Sequence, residues 1–284
     1  MQILTTKKAL MQHVEACKQQ GKTIGLVPTM GALHEGHASL VRRAVSENDV
    51  CFVSVFVNPT QFNNKEDLAL YPRDLQRDAD LLAGIGAHFV FAPTPEEMYT
   101  EEEMQTTFSF DFGGLDTMME GKMRPGHFNG VVQVVSRLFY LVRPDRAYFG
   151  EKDFQQLAII RHMVYRSSLK DSFGSLQIVG CPIVREASGL ALSSRNERLS
   201  DEERRTAVAI SKTLFASREW SKHQSVKEVE QRVTDTINAV EGLEVEYFSI
   251  VDADTLQPTD TFKNAVGCVT VYCGKVRLID NIRY

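Results

Sequence analysis

The chain has 284 residues, with 32 Lys and Arg against 37 Asp and Glu, 43% hydrophobic and 24% charged. These proportions exclude a disordered chain, a collagen-like repeat and a coiled coil, and leave room for one large or two ordinary units with a sizeable core. A net charge of −5 argues against a general nucleic-acid or anionic-membrane surface, so small molecules or other proteins are the expected partners. Cys17, Cys51, Cys181, Cys268 and Cys273 are odd in number and form no CxxC pair. That pattern suggests neither a disulfide framework nor a zinc ribbon, and it fits a reducing cytoplasm. The N-terminal stretch carries charges every few residues and lacks a signal-peptide core, and no segment reaches the ~18 apolar residues of a membrane span.

In chain order, the apolar spacing predicts a helix over 7–19 and a buried strand over 24–28, then a helix over 36–47 and a β-rich run over 50–57. A helix over 74–83 and a strand over 88–92 follow. Beyond a Glu- and Thr-rich loop, helices over 131–142 and 155–165 alternate with strands over 146–149 and 176–181. Repeated strand–helix–strand order implies right-handed crossovers and a Rossmann-like, doubly wound, mainly parallel sheet with helices on both faces. Past about Arg185 the rhythm changes. Ser200-Asp201-Glu202-Glu203 reads as a capping box, a polar helix is expected over 226–240, and strands over 245–251, 268–272 and 276–279. The expected division is a first unit over 1–185 and a smaller α+β unit over 186–284, joined through the Glu186-Ala187-Ser188-Gly189 turn.

Five clusters fall at predicted strand ends or at this junction. Pro28-Thr29-Met30-Gly31-Ala32-Leu33-His34-Glu35-Gly36-His37 lies between a strand and a helix, where its glycines, the helix start and two His three residues apart suit an anion. It has no P-loop or GxGxxG spacing. A zinc protease would need a second His four residues after His34, where Ala38 stands. Asn58-Pro59-Thr60-Gln61-Phe62 places amides at the end of the next strand, suited to a small polar substrate. Arg124-Pro125-Gly126-His127-Phe128 offers a guanidinium for a phosphate or carboxylate. Gly150-Glu151-Lys152-Asp153-Phe154-Gln155-Gln156 adds a point charge for a nucleotide phosphate, with Asp153 capping the helix or holding a ribose hydroxyl. Leu192-Ser193-Ser194-Arg195-Asn196 sits on the junction, where two hydroxyls and an Arg can close over a polyphosphate. Each cluster alone reads equally well as a turn or a solvated surface; five together do not.

These motifs, in order, resemble the pantoate–β-alanine ligase (pantothenate synthetase) family, whose form of the HIGH nucleotidyltransferase signature is similar to the stretch from Pro28 to His37. Val276-Arg277-Leu278-Ile279-Asp280-Asn281 resembles the family's ending, so the likeness covers nearly the whole chain. Ser188-Gly189 stands where the family usually has Asp-Gly, and Thr60 where a larger apolar residue is common. The resemblance implies ATP-dependent joining of (R)-pantoate to β-alanine through a pantoyl adenylate, a step in vitamin B5 and coenzyme A precursor biosynthesis that releases AMP and pyrophosphate. It implies Mg²⁺ accompanying the nucleotide, with metal ligands left unassigned.

By the same resemblance, His34, His37 and Lys152 are the catalytic candidates, with His37 donating a proton because imidazole titrates near neutrality. ATP would be bound by Met30, Gly31, Ala32, Leu33, His34, Glu35, Gly36 and His37. Gly150, Glu151, Lys152, Asp153, Val184, Leu192, Ser193, Ser194 and Arg195 would complete that set. Gln61 and Gln156 would hold pantoate, with Gln61 also near β-alanine, and Arg124 would assist with a phosphate or carboxylate. The second unit would act as a hinged cover, and a homodimer would form through the first unit by way of its apolar second strand. Two alternatives remain: another HIGH-type nucleotidyltransferase with a small acceptor, and a nucleotide-binding regulatory protein without catalysis. A class I tRNA synthetase would need a basic RNA-binding domain that this chain has no room for.

Overall fold

The computed structural model describes residues 1–63, 65–106 and 108–284. The elements run β1 (Gln2–Leu4), α1 (Lys7–Gln19), β2 (Ile24–Thr29), α2 (Glu35–Glu47), β3 (Val50–Val55), α3 (Lys65–Ala69), α4 (Leu75–Ile85) and β4 (Phe89–Phe91). Short helices α5 (Pro95–Met98), α6 (Glu101–Gln105) and α7 (Met119–Met123) lead into α8 (His127–Val142), β5 (Arg146–Gly150), α9 (Phe154–Tyr165) and β6 (Gln177–Cys181). The chain then forms α10 (Asp201–Trp220), α11 (Val226–Asn238), β7 (Leu243–Asp252), β8 (Ala265–Cys273) and β9 (Val276–Arg283).

Six strands form one sheet in the order β1-β4-β3-β2-β5-β6, every pairing parallel. Strand residues alternate between two cores because successive side chains leave opposite faces. Ile24, Leu26, Phe52 and Phe149 face α1, α8 and α9, whereas Val27, Cys51, Val53 and Tyr148 face α2 and α4. The expected doubly wound arrangement is therefore present, with one addition. The three-residue edge strand β1 is too short to carry a periodic signal; it forms because β4 offers a free edge for it, with Ile3 opposite Val90.

One expectation is corrected here. The apolar run over 50–57 was to supply the dimer contact, but β3 is interior, paired to β2 on one side and β4 on the other. Phe52 and Val53 are fully buried within the chain, so this strand has no free edge or face to offer a partner. Helix α8 also starts a turn before its apolar run, after Gly126 in the left-handed region.

The remaining strands make an antiparallel sheet, β7-β8-β9, with α11 against it and α10 opened by the expected Ser200–Glu203 capping box. Val251, Leu256, Val266 and Cys268 from this part join the first core, so apolar packing is continuous across the two sheets. Among the described residues, no helix is long and apolar enough to cross a membrane.

Candidate active site

The order of the parallel sheet reverses between β2 and β5, and ligands of doubly wound sheets bind outside the carboxyl ends of the strands at such a point. Helices α2 and α9 begin there. A cavity of about 890 Å³ opens between them, lined by Met30, His34, Gly36 and His37 from the first turn and Gly150, Lys152 and Asp153 from the second. Val184, Leu192, Ser193, Ser194 and Arg195 close its far side. It merges with a chamber of about 700 Å³ through Met30, His37, Asp153 and Gln156, and that chamber holds Gln61 against Phe56, Val131, Val134, Val135 and Leu138.

Two His define one side of this cavity. His34 is the N-cap of α2, its Nδ1 accepting the Gly36 N–H at 3.1 Å, and the His37 Nδ1 accepts the His34 N–H at 3.4 Å. Each ring therefore carries its proton on Nε2. Burial pushes the pKa of His34 down to about 4 and that of His37 to about 3, the latter helped by its neighbours His34 and Lys152. One edge of His37 opens on the cavity while protein crowds the rest of the ring. The expectation that His37 titrates near neutrality is thus corrected: both imidazoles are neutral N–H donors.

The turn before α2 is no bare phosphate cradle. The Gly31 N–H is taken by Thr29 Oγ1 at 3.2 Å, and the Ala32 and Leu33 N–H groups donate to the Asp78 carboxylate at 3.0 and 2.7 Å. With the His34 and Gly36 amides also engaged, five amides of this stretch are already taken within the protein. Gly31, Ala32, Leu33, Glu35 and Glu151 do not line the cavity. Glu35 pairs with Arg42 on the surface, and the Glu151 N–H bonds the Cys181 carbonyl.

The junction loop is held to the first sheet. Ser194 Oγ donates to the Ala32 carbonyl at 3.1 Å, Ser193 Oγ accepts the Arg195 N–H, and Arg195 pairs with Asp67 at 2.8 Å. Asp153 occupies the N-cap position of α9, yet its carboxylate makes no capping bond and lines both chambers. Asn281 of β9 donates to the Glu151 and Lys152 carbonyls at 2.8 and 2.9 Å, fixing the turn that carries Lys152. Asp280 grips Arg185 in a two-bonded ion pair at 2.6 and 2.9 Å.

Gln61 is buried in a short 3-10 turn and oriented from three sides. Asn58 Nδ2 donates to Gln61 Oε1 at 3.1 Å and to the Gly130 carbonyl at 3.1 Å. His127 Nδ1 donates to the Gln61 carbonyl at 2.8 Å, while its Nε2 accepts from Arg124 at 3.1 Å. A Cβ at Gly130 would lie 2.5 Å from the Gln61 nitrogen, so only glycine lets α8 approach this closely. Arg124 also lies 3.5 Å from Glu120, and Arg124 and His127 line an adjoining cavity with Lys152, Asp153 and Gln156 rather than either chamber above. Sequence reading passed over Asp78, which lies outside every motif, and gave His127 and Asn281 no role of their own inside theirs, because each acts on a partner far along the chain.

The fold and the crevice define a class first: an α/β enzyme that takes its ligand at the switch point of a doubly wound parallel sheet. The family model described as Pantoate-beta-alanine ligase matches residues 2–283. The chain is 59% identical to the pantothenate synthetase of Phocaeicola vulgatus and 54% identical to that of Porphyromonas gingivalis, in each case over 100% of this chain and 99% of the relative. Its structure is similar to pantothenate synthetase of Thermus thermophilus, with TM-score 0.91 and 44% identity over 100% of this chain and 99% of that one. It is also similar to the Francisella tularensis pantoate-beta-alanine ligase complexed with beta-gamma ATP and beta-alanine, with TM-score 0.83 and 37% identity, covering 100% and 97% of the two chains. The chain belongs to the pantoate–β-alanine ligase family.

Proposed function

We propose that this ligase makes pantothenate in two steps within the joined chambers. A pantoate carboxylate oxygen attacks the α-phosphorus of ATP, the bond to the β-phosphate oxygen breaks, and pyrophosphate leaves. The β-alanine nitrogen then attacks the acyl carbon of the pantoyl adenylate, AMP leaves, and the amine loses a proton to water. The observation that carries this reading is the placement of Lys152, His34 and His37 around one chamber that opens directly onto Gln61 and Gln156 in the other.

Lys152 neutralises charge that builds on the transferring phosphates, and the two neutral imidazoles donate Nε2–H bonds to phosphate oxygens without proton transfer. Uncharged Gln61 and Gln156 hold pantoate without blunting its nucleophilic carboxylate, and the apolar side of their chamber suits the pantoate methyls. Gln61 also borders the β-alanine position. Met30, Val184 and Leu192 flank the adenosine, while Ser193, Ser194 and Arg195 face the phosphates, Arg195 leaving Asp67 as they bind. Among the described residues no group of three or more His, Cys, Asp or Glu could hold a metal by itself. Asp153, an acidic side chain common to both chambers, fits a Mg²⁺ that the phosphates bring, since this ion usually takes one or two carboxylates plus phosphate oxygens and neutralises phosphate charge.

The part from residue 186 onward serves as a cover that keeps water from the adenylate, a reading supported by its ties to the Lys152 turn through Asn281. A homodimer in the cytoplasm completes the proposal. Its support is the exposed Met11 and Tyr140 beside one shallow groove, together with five free buried thiols. The test is pyrophosphate release by purified protein with Mg-ATP and pantoate, with and without β-alanine, with mass detection of product. Pantothenate and AMP appearing only with all three substrates is the expected result. ATP binding without any pantoate-dependent turnover would overturn it.

A further inference from the structure

Asp78 lies in the first turns of α4 and is 2% exposed, yet no step above uses it. Its Oδ2 accepts the Ala32 N–H at 3.0 Å and its Oδ1 the Leu33 N–H at 2.7 Å, a fork of charge-assisted bonds closing a gap of 46 residues in sequence. The turn it holds is one that a chain resists. Gly31 has φ +82° and Ala32 φ +51°, two successive residues in the left-handed region, where alanine is disfavoured. Gly31 also lets the carboxylate in: a Cβ there would sit 2.8 Å from Asp78 Oδ2. The next residue after this turn is His34, the cap of α2, and His37 sits three positions further, so the turn fixes where both rings stand.

We propose that Asp78 is a positioning residue for the nucleotide half of the site, acting through the Gly31–Ala32–Leu33 turn to set His34 and His37 over the cavity. The inference rests on the nucleotide reading of that cavity. The carboxylate also occupies the Ala32 and Leu33 amides, so neither is left for an anion.

Asp78→Asn keeps the shape but sets an amide NH₂ against one of the two N–H groups. The expected result is faster hydrogen exchange at Ala32 and Leu33 and a rise of about tenfold or more in the Kd for Mg-ATP by calorimetry, with the pantoate Kd changed by less than about twofold. A merely structural role would not separate the two ligands. Gly31→Ala presses on the same contact without touching Asp78, and it should show the same split should Asp78→Asn fail to fold. An unchanged Mg-ATP Kd in a variant whose Ala32 and Leu33 amides exchange faster would overturn the proposal. Wild-type protein that bound no Mg-ATP would overturn the nucleotide reading itself, and this inference with it.

Discussion

His127→Gln should flatten the acid sensitivity of the fold. His127 is buried, and burial together with the adjacent Arg124 charge pushes its pKa down to about 3 from the ordinary 6.5. The folded state therefore takes up no proton at this ring between pH 8 and pH 5, whereas the unfolded chain becomes mostly protonated as pH falls through ~6.5. A depressed His pKa means that its contribution to stability is present above the unfolded value and is lost as pH falls toward the folded one. Integrating the proton difference from pH 8 to pH 5 gives a loss of ~2 kcal/mol from this residue alone. His34 and His37 are lowered as well and add to the same trend. Glutamine keeps the contacts: its Nε2–H donates to the Gln61 carbonyl and its Oε1 accepts from Arg124, replacing the bonds at 2.8 and 3.1 Å. Urea unfolding at several pH values from 8 to 5 measures the effect. The variant should lose ~2 kcal/mol less than wild type over that range, at an unchanged m value. Parallel stability curves for the two proteins would refute the neutral buried imidazole.

Three further outcomes are expected. Lys152→Ala should slow pyrophosphate release on the order of 10²-fold with the thermal midpoint little changed, because it removes transition-state charge stabilisation rather than packing; turnover near wild type would end its catalytic role. Gln61→Ala should weaken pantoate binding in calorimetry while Mg-ATP binding is largely spared, and the reverse pattern would reassign the chamber. Arg277→Met leaves Glu120, held in wild type by two Arg277 bonds at 2.7 and 2.8 Å, as a buried carboxylate short of its partner. Denaturant unfolding should show a loss of ~3–5 kcal/mol, and Glu120→Gln added to it should recover a large part; a single variant within ~1 kcal/mol of wild type would contradict the buried pair.

Helix α1 was legible to the residue because Thr6 caps it and Leu10, Val14 and Cys17 fall on one face, both of them local properties. The alternation of β2, β3 and β5 with helices was legible because buried parallel strands read as continuous apolar runs. The loops at their carboxyl ends each read alone as a turn; their coincidence at strand ends, and the resemblance of the motifs in order, singled out His34, His37, Lys152, Gln61 and Gln156, which the fold brings to two joined chambers. What stayed hidden was whatever depends on a partner distant in the chain. Whether a strand is central or at the edge, as with β3, is settled by its neighbours and not by its own residues. Likewise the motif showed glycines and a helix start but not that Asp78, 46 residues away, already occupies two of the amides. The same holds for His37: an imidazole's identity sets its ordinary pKa, and only the surrounding protein, by excluding water, decides that it stays neutral.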